Sequence, residues 1–171
     1  SAFTPSIPSN TPLFTDKPQD GSREKLIQYM LALINKDRAA AGLAPVVLGA
    51  NKAAQIHADE MLANGYLSHW GLDGMKPYMR YTLAGGFNYE GENCSASPTF
   101  IDENEPYMKE DIMIRLEEAE KGLMDSPGHK KNILNKWHKK VNIGIAYNSV
   151  TEAIVQQFEG DYIRFSQVPI F

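Results

Sequence analysis

The chain has a single cysteine, Cys94, among 171 residues. One thiol closes no internal disulfide and offers no CxxC or zinc-ribbon spacing, so stability has to come from a packed core. A domain of this length hides about 70% of its unfolded surface from water, which is enough for that purpose. Long basic runs are lacking too. Lys130-Lys131 and Lys139-Lys140 are short clusters, and 17 Lys and Arg stand against 21 Asp and Glu, a net charge of −4. Gripping a phosphate backbone takes a stripe of positive charge, so nucleic acid is not an expected partner. No apolar run approaches the roughly 18–20 residues that span a bilayer, which argues against a transmembrane segment. No charged and then apolar leader opens the chain. It begins Ser1-Ala2-Phe3 without Met and reads as an exported chain whose leader has been removed. The common catalytic signatures, HExxH, GxSxG, the P-loop and GxGxxG, are also missing.

What is present is a succession of helical patterns followed by alternating ones. Residues 1–21 carry four prolines among small polar residues and read as an extended tail or linker. Ser22 is placed to cap a helix starting at Arg23 or Glu24. Leu26, Tyr29, Met30, Leu33 and Ile34 form one apolar helical face, and Gly42 stops it. Leu43 to Leu48 is an extended link. A second helix is predicted from Ala50 to Asn64 with Ala54, His57, Ala58, Met61 and Leu62 inward, ended by Gly65. Pro77 suits the first turn of a third helix reaching Ala84. Residues 97–107 read as an acidic surface loop. A fourth helix runs from about Lys109 to Met124, with Ile112, Arg115, Leu116, Ala119 and Leu123 at helical spacing. His129 to Leu134 is a further turn or short helix. The period then changes: Val141, Ile143, Ile145 and Tyr147 alternate, and Ala153, Val155, Gln157 and Glu159 oppose Ile154, Gln156 and Phe158. Two strands joined near Asn148 to Thr151 make a hairpin. Helices first and strands late imply an α+β domain, with residues 22–165 as its body and 166–171 as a C-terminal tail.

Four histidines offer chemistry: His57, His69, His129 and His138. His69 lies in a loop beside Trp70 and small residues, where it can either reach a cleft or cap nearby carbonyls. His129 follows Ser126-Pro127-Gly128, where the proline sets the turn, the glycine allows a close backbone approach, and Ser126 is placed to cap the next helix. Glu92, in Gly91-Glu92-Asn93, sits on a flexible backbone among apolar residues, as an anchor for backbone N–H groups or as a metal or acid/base group. His57, mid-helix on an apolar face, suits a buried histidine bonded to a carbonyl. His138 reads as surface or strand lead-in. Nothing near Cys94 lowers a thiol pKa, so it reads as a buried, inert thiol.

Several of these segments resemble a known family in its own order. They are Leu26-Ile27-Gln28 with Leu33 to Leu43, Ala54 to His69, Gly91-Glu92-Asn93, Ser126 to Leu134, Ile143-Gly144-Ile145-Ala146 and Val155-Gln156-Gln157-Phe158. Over residues 23–160 the chain resembles the prokaryotic, SCP-like extracellular branch of the CAP superfamily, which takes in cysteine-rich secretory proteins, antigen 5 and pathogenesis-related class 1 proteins. The resemblance implies a three-layer α-β-α sandwich with a small antiparallel sheet, and a secreted or cell-surface location. It also implies a cleft holding two histidines and two acids, onto which His69, Glu92 and His129 map. The histidines, His69 and His129, would hold a divalent metal, zinc first, since neutral imidazoles and carboxylates suit it. The fourth member is open among Glu117, Glu118, Glu120 or none. The disulfides and the GHYTQ-type motif of the eukaryotic branch are absent.

Three functions follow from that resemblance. The first is a binding or scaffold domain whose cleft takes a metal and a small apolar, peptide or glycan ligand, the aromatics Tyr66, Trp70, Tyr78, Tyr81, Phe87 and Tyr89 lining it. The second is a zinc-dependent peptidase or esterase with Glu92 as base toward metal-bound water. The third is a structural His/Glu cluster without a ligand.

Overall fold

The computed structural model describes residues 22–97, 112–148 and 150–161. The expected tail at 1–21, most of the acidic loop, the start of the fourth helix and the residues from 162 onward lie outside them.

Among the described residues nine elements follow one another: α1 (Ser22–Ala40), β1 (Val47–Leu48), α2 (Ala53–Asn64), α3 (Pro77–Leu83), β2 (Tyr89–Ala96), α4 (Ile112–Asp125), α5 (Pro127–Ile133), β3 (His138–Tyr147) and β4 (Glu152–Gly160). The strands form one sheet in the order β1-β3-β4-β2, antiparallel except where β1 joins β3. The alternation of β4 decides which helices cover which face. Ile154 and Phe158 join Val141, Ile143 and Ile145 under α1, α4 and α5. Ala153 and Val155 join Cys94 and Ala146 under α2. The result is the α+β, α-β-α sandwich, with a core on each side of the sheet.

Small residues let α2 come close. A Cβ on Gly144 of β3 would lie 2.2 Å from the Ala54 carbonyl oxygen, so that crossing demands glycine. On the other face the stripe Leu26, Met30, Ile34 ends in Arg38, which is 1% exposed. Its guanidinium donates to the carbonyls of Ala44, Ile133 and Asn135 at 2.8–2.9 Å. Arg38 thereby satisfies backbone groups at the end of α5 that water cannot reach, and it fixes where α5 sits.

Four expectations change. Glu92 does not ride on flexible backbone. It belongs to β2, a strand whose sequence Tyr-Glu-Gly-Glu-Asn-Cys-Ser-Ala lacks β-branched residues and is held by pairing with β4. His138 does lead into a strand, but it is buried, stacked on Phe158 at 4.8 Å between ring centroids, and bonded through Nδ1 to the Asn132 carbonyl at 2.8 Å. Gly128 makes no close approach, since a Cβ there would meet open space. Nor does Ser126 cap α5 with its side chain; its backbone is extended and Pro127 supplies the first helical residue.

Candidate functional site

Glu92 is the centre. Its side chain is 1% exposed, yet the carboxylate is not bare. His69 Nδ1 donates to Oε1 at 3.0 Å. Arg80 donates to Oε2 through Nη1 at 3.0 Å and to Oε1 through Nη2 at 3.1 Å. Gln157 Nε2 donates to Oε2 at 2.9 Å, and the Cys94 thiol donates to Oε1 at 3.2 Å. Register explains the glutamine: Glu92 and Gln157 are direct cross-strand partners of β2 and β4, so their side chains leave the same face. Burial alone pushes the Glu92 carboxyl up. The bonds from His69, Arg80 and Cys94, with the Arg80 charge, outweigh it and hold the acid below its ordinary value. The same surroundings act oppositely on Cys94. Burial and then the Glu92 charge push its thiol well above the ordinary range, which makes it the inert thiol expected from sequence.

His69 owes its position to the turn after α2. Gly65 closes that helix in the left-handed region at φ 60°. His57, fully buried, then bonds the Ser68 carbonyl through Nε2 at 2.7 Å. Arg80 Nη2 donates to the His69 carbonyl at 2.6 Å. The backbone is therefore pinned on both sides of the His69 Cα. With Nδ1 on Glu92 and 46% of the side chain exposed, the ring presents Nε2 on its open side.

His129 comes from α5, half-buried. Its carbonyl accepts from Asn93 Nδ2 at 3.2 Å, and Asn132, one turn on, donates to Asn93 Oδ1 at 2.9 Å. The β2 edge and α5 are tied by this amide pair. Burial, and then the nearby charge of His69, push the His129 imidazole below its ordinary value. The two rings therefore share one electrostatic neighbourhood, in which charge on His69 disfavours a proton on His129.

Sequence reasoning missed Arg80. No short motif marks it. The available signal was a lone basic residue inside a helix that begins with Pro77 and precedes the glycine pair Gly85-Gly86. The candidates for a fourth, acidic member stand elsewhere: Glu120, on α4, bonds Gln156 on the other face of the sheet. The aromatics divide. Tyr81 is buried, Tyr66 and Tyr89 are half-buried, and Trp70, Tyr78 and Phe87 are exposed.

Two donor sets bear on metal binding. His57, Glu92 and Cys94 bring ligand atoms within 4.8 Å of one another, a spacing that could hold an ion. Their chemistry opposes it, because Cys94 keeps its proton, Glu92 has donors on both oxygens and His57 commits Nε2 to a carbonyl. His69 fits better. A ligating histidine usually gives its other N–H to a carboxylate, which fixes the tautomer, and the His69–Glu92 bond does this. A neutral His129 is likewise in the ligating form.

Comparison with known proteins agrees with this architecture. The family model described as CAP, the cysteine-rich secretory protein family, matches residues 31–158. An extracellular protein containing an SCP domain from Bacillus anthracis superposes with a TM-score of 0.62 at 20% identity, over 81% of this chain and 41% of that one. The chain thus spans less than half the length of that relative. An outer surface protein from Borrelia burgdorferi superposes with a TM-score of 0.60 at 15% identity, over 81% of this chain and 95% of the other. At these identities the likeness speaks for the fold. No curated protein matches the chain. Among the described residues no helix is long and apolar enough to cross a membrane.

Proposed function

This chain belongs to the CAP family, and from that premise we propose that it is a secreted or cell-surface binding domain whose cleft presents His69 and His129 to a divalent metal and an adjoining ligand. The observation that carries this reading is the saturation of Glu92. A carboxylate with donors on both oxygens orients His69; to act as a base it would first have to give up those bonds. His69 and His129 would hold the ion, zinc being the natural choice for two imidazoles. Once bound, the ion would supply Lewis acidity toward a ligand oxygen or nitrogen. The chain's own contribution is to keep His129 in its neutral form and His69 aimed. Arg80 supports this by balancing Glu92 and holding the His69 carbonyl.

Around His69 the side chains of Leu67, Trp70, Leu72, Tyr78 and Met79 stand in solvent. Large apolar groups gathered along one stretch of surface suit contact with a partner. They support a small apolar or peptide ligand, its polar end at the histidines and its apolar part on this rim.

Titration calorimetry with zinc on untagged protein tests the reading. One equivalent should bind, and His69→Ala and His129→Ala should each weaken binding by at least about tenfold. Glu92→Gln should weaken it less, since an amide can still orient the ring. Absent binding, or binding that neither histidine variant changes, would leave the cluster with only a structural role.

A further inference from the structure

The outer edge of β3 is closed on either side of one residue and open at that residue. The Val141 carbonyl accepts from Gly49 N at 3.0 Å, in line with β1. Two residues beyond the gap, Ile145 N donates to Gln55 Oε1 at 3.0 Å and the Ile145 carbonyl accepts from Gln55 Nε2 at 2.9 Å. A side-chain amide of α2 thus stands in for a strand. Val141 and Ile145 turn these groups away from β4, and residues two apart in an antiparallel pair turn the same way. Ile143 lies midway, so its N–H and C=O also point outward. Among the described residues neither meets a hydrogen-bond partner. Ile143 is only 6% exposed, and a buried backbone group left unpaired is costly. The gap exists because the chain leaves the sheet after β1. Asn142 Oδ1 takes the Asn51 N–H at 2.9 Å, and a Cβ on Gly49 would lie 2.3 Å from that oxygen and push it off the bond. A hollow of about 430 Å³ remains between α1, this turn and β3.

Ile27, Leu48, Ala50 and Ile143 give the hollow an apolar wall, and Arg23 and Lys52 bring positive charge to it. Arg23 Nη2 stands 3.7 Å from Asp59 Oδ1, while its Nε is buried without a partner. Glu24, in the same wall, is exposed. An open strand edge recruits an extended chain. We propose that this hollow binds the C-terminal residue of a peptide. A peptide N–H donates to the Ile143 carbonyl, and a peptide carbonyl accepts from the Ile143 N–H. The last side chain lies on the apolar wall, and the terminal carboxylate meets Arg23 and Lys52. The length of the gap selects a chain end. Only one residue of β3 is free between the Gly49 and Gln55 contacts, too few for a run of strand, so a ligand has to stop there. The site lies on the β1 side of the sheet. The histidine cleft is built on β2, at the other edge.

N-acetyl-alanyl-leucine with a free carboxylate is the probe. Titrated into the isotope-labelled full chain, it should give saturable shifts centred on the Ile143 amide and leave His129 unmoved. The same dipeptide closed as its C-terminal amide should bind at least about fivefold more weakly, and Arg23→Met should weaken the free acid by a similar factor. Ala50→Phe, at an exposed wall residue, should fill the hollow and abolish binding. Melting curves matching the parent would show that both variants are folded. Hydrogen exchange gives a readout without a variant. In the free chain the Ile143 amide should exchange faster than that of Gly144, which turns toward Val155 of β4, and saturating probe should slow it. A probe that leaves Ile143 unmoved, an amide that binds as well as the acid, or binding that survives Ala50→Phe would each sink the proposal. So would an Ile143 amide as protected as Gly144 before any probe is added, since the chain itself would then already close the gap.

Discussion

Glu92 and Glu120 are two acids buried to a similar degree on opposite faces of one sheet, and they are treated differently. Glu92 meets a guanidinium, an imidazole, a carboxamide and a thiol, which together hold it ionised. Glu120 meets one carboxamide and another acid. Burial, then the balance of Gln156 against Asp37, pushes it up to about 8. Depth in the protein does not set the charge of a buried carboxyl group. The number and kind of donors at its oxygens do. The histidine face is therefore built around a charge, while the buried acid on the other face keeps its proton.

Arg80→Met should break that comparison most severely. It strands the Glu92 charge in the interior, and losing one partner of a buried pair costs about 3–5 kcal/mol. Urea unfolding at neutral pH measures it. Adding Glu92→Gln should recover part of the loss, because the stranded charge is gone; a double-mutant cycle that shows no coupling would count against the ion pair.

Glu120→Gln should have a smaller effect with a distinctive pH dependence. The folded state holds a proton on Glu120 that the unfolded state releases at its ordinary value of 4.5. Stability should thus fall as pH rises from about 4.5 to about 8. The glutamine variant lacks this slope, so it should melt several degrees above the parent at pH near 8.5 and show no such gain near pH 5, at roughly 2–4 °C per kcal/mol. Glu92 has the opposite sign. Its depressed value stabilises the fold above 4.5, and that contribution is lost as pH falls through the folded value. A parent whose melting temperature did not decline on the alkaline side would contradict the assignment for Glu120.

Cys94 gives the smallest effect. Its raised thiol is 7% exposed, so a thiol reagent at mildly alkaline pH should label the native protein far more slowly than the urea-unfolded chain. Cys94→Ala should cost on the order of 1 kcal/mol, since the Oε1 atom it serves keeps two other donors.

Much of the architecture was readable residue by residue. The i, i+4 stripe of Leu26, Met30 and Ile34, the stop at Gly65, Pro77 at a helix start and the alternation of Ile154, Gln156 and Phe158 each carry their own period or punctuation. The strand at 89–96 carries none, because Glu90-Gly91-Glu92 followed by Asn, Cys and Ser has little strand preference; its conformation comes from β4. In the site, the bond of His57 to a carbonyl and the inertness of Cys94 followed from burial patterns. Arg80 did not, since a lone arginine in a short helix looks the same whether it faces water or an acid. Glu120 could have been noticed as an acid at core spacing between Leu116 and Leu123.

By itself the chain determined its helices, its hairpin and its family, because those depend on neighbours within a few residues and on short motifs in order. Tertiary structure decided which acids keep their charge. That outcome depends on donors brought from remote segments: Gln157 and Arg80 to Glu92, Gln156 and Asp37 to Glu120. An interaction that weakens with distance through space and ignores separation along the chain leaves no local pattern to read.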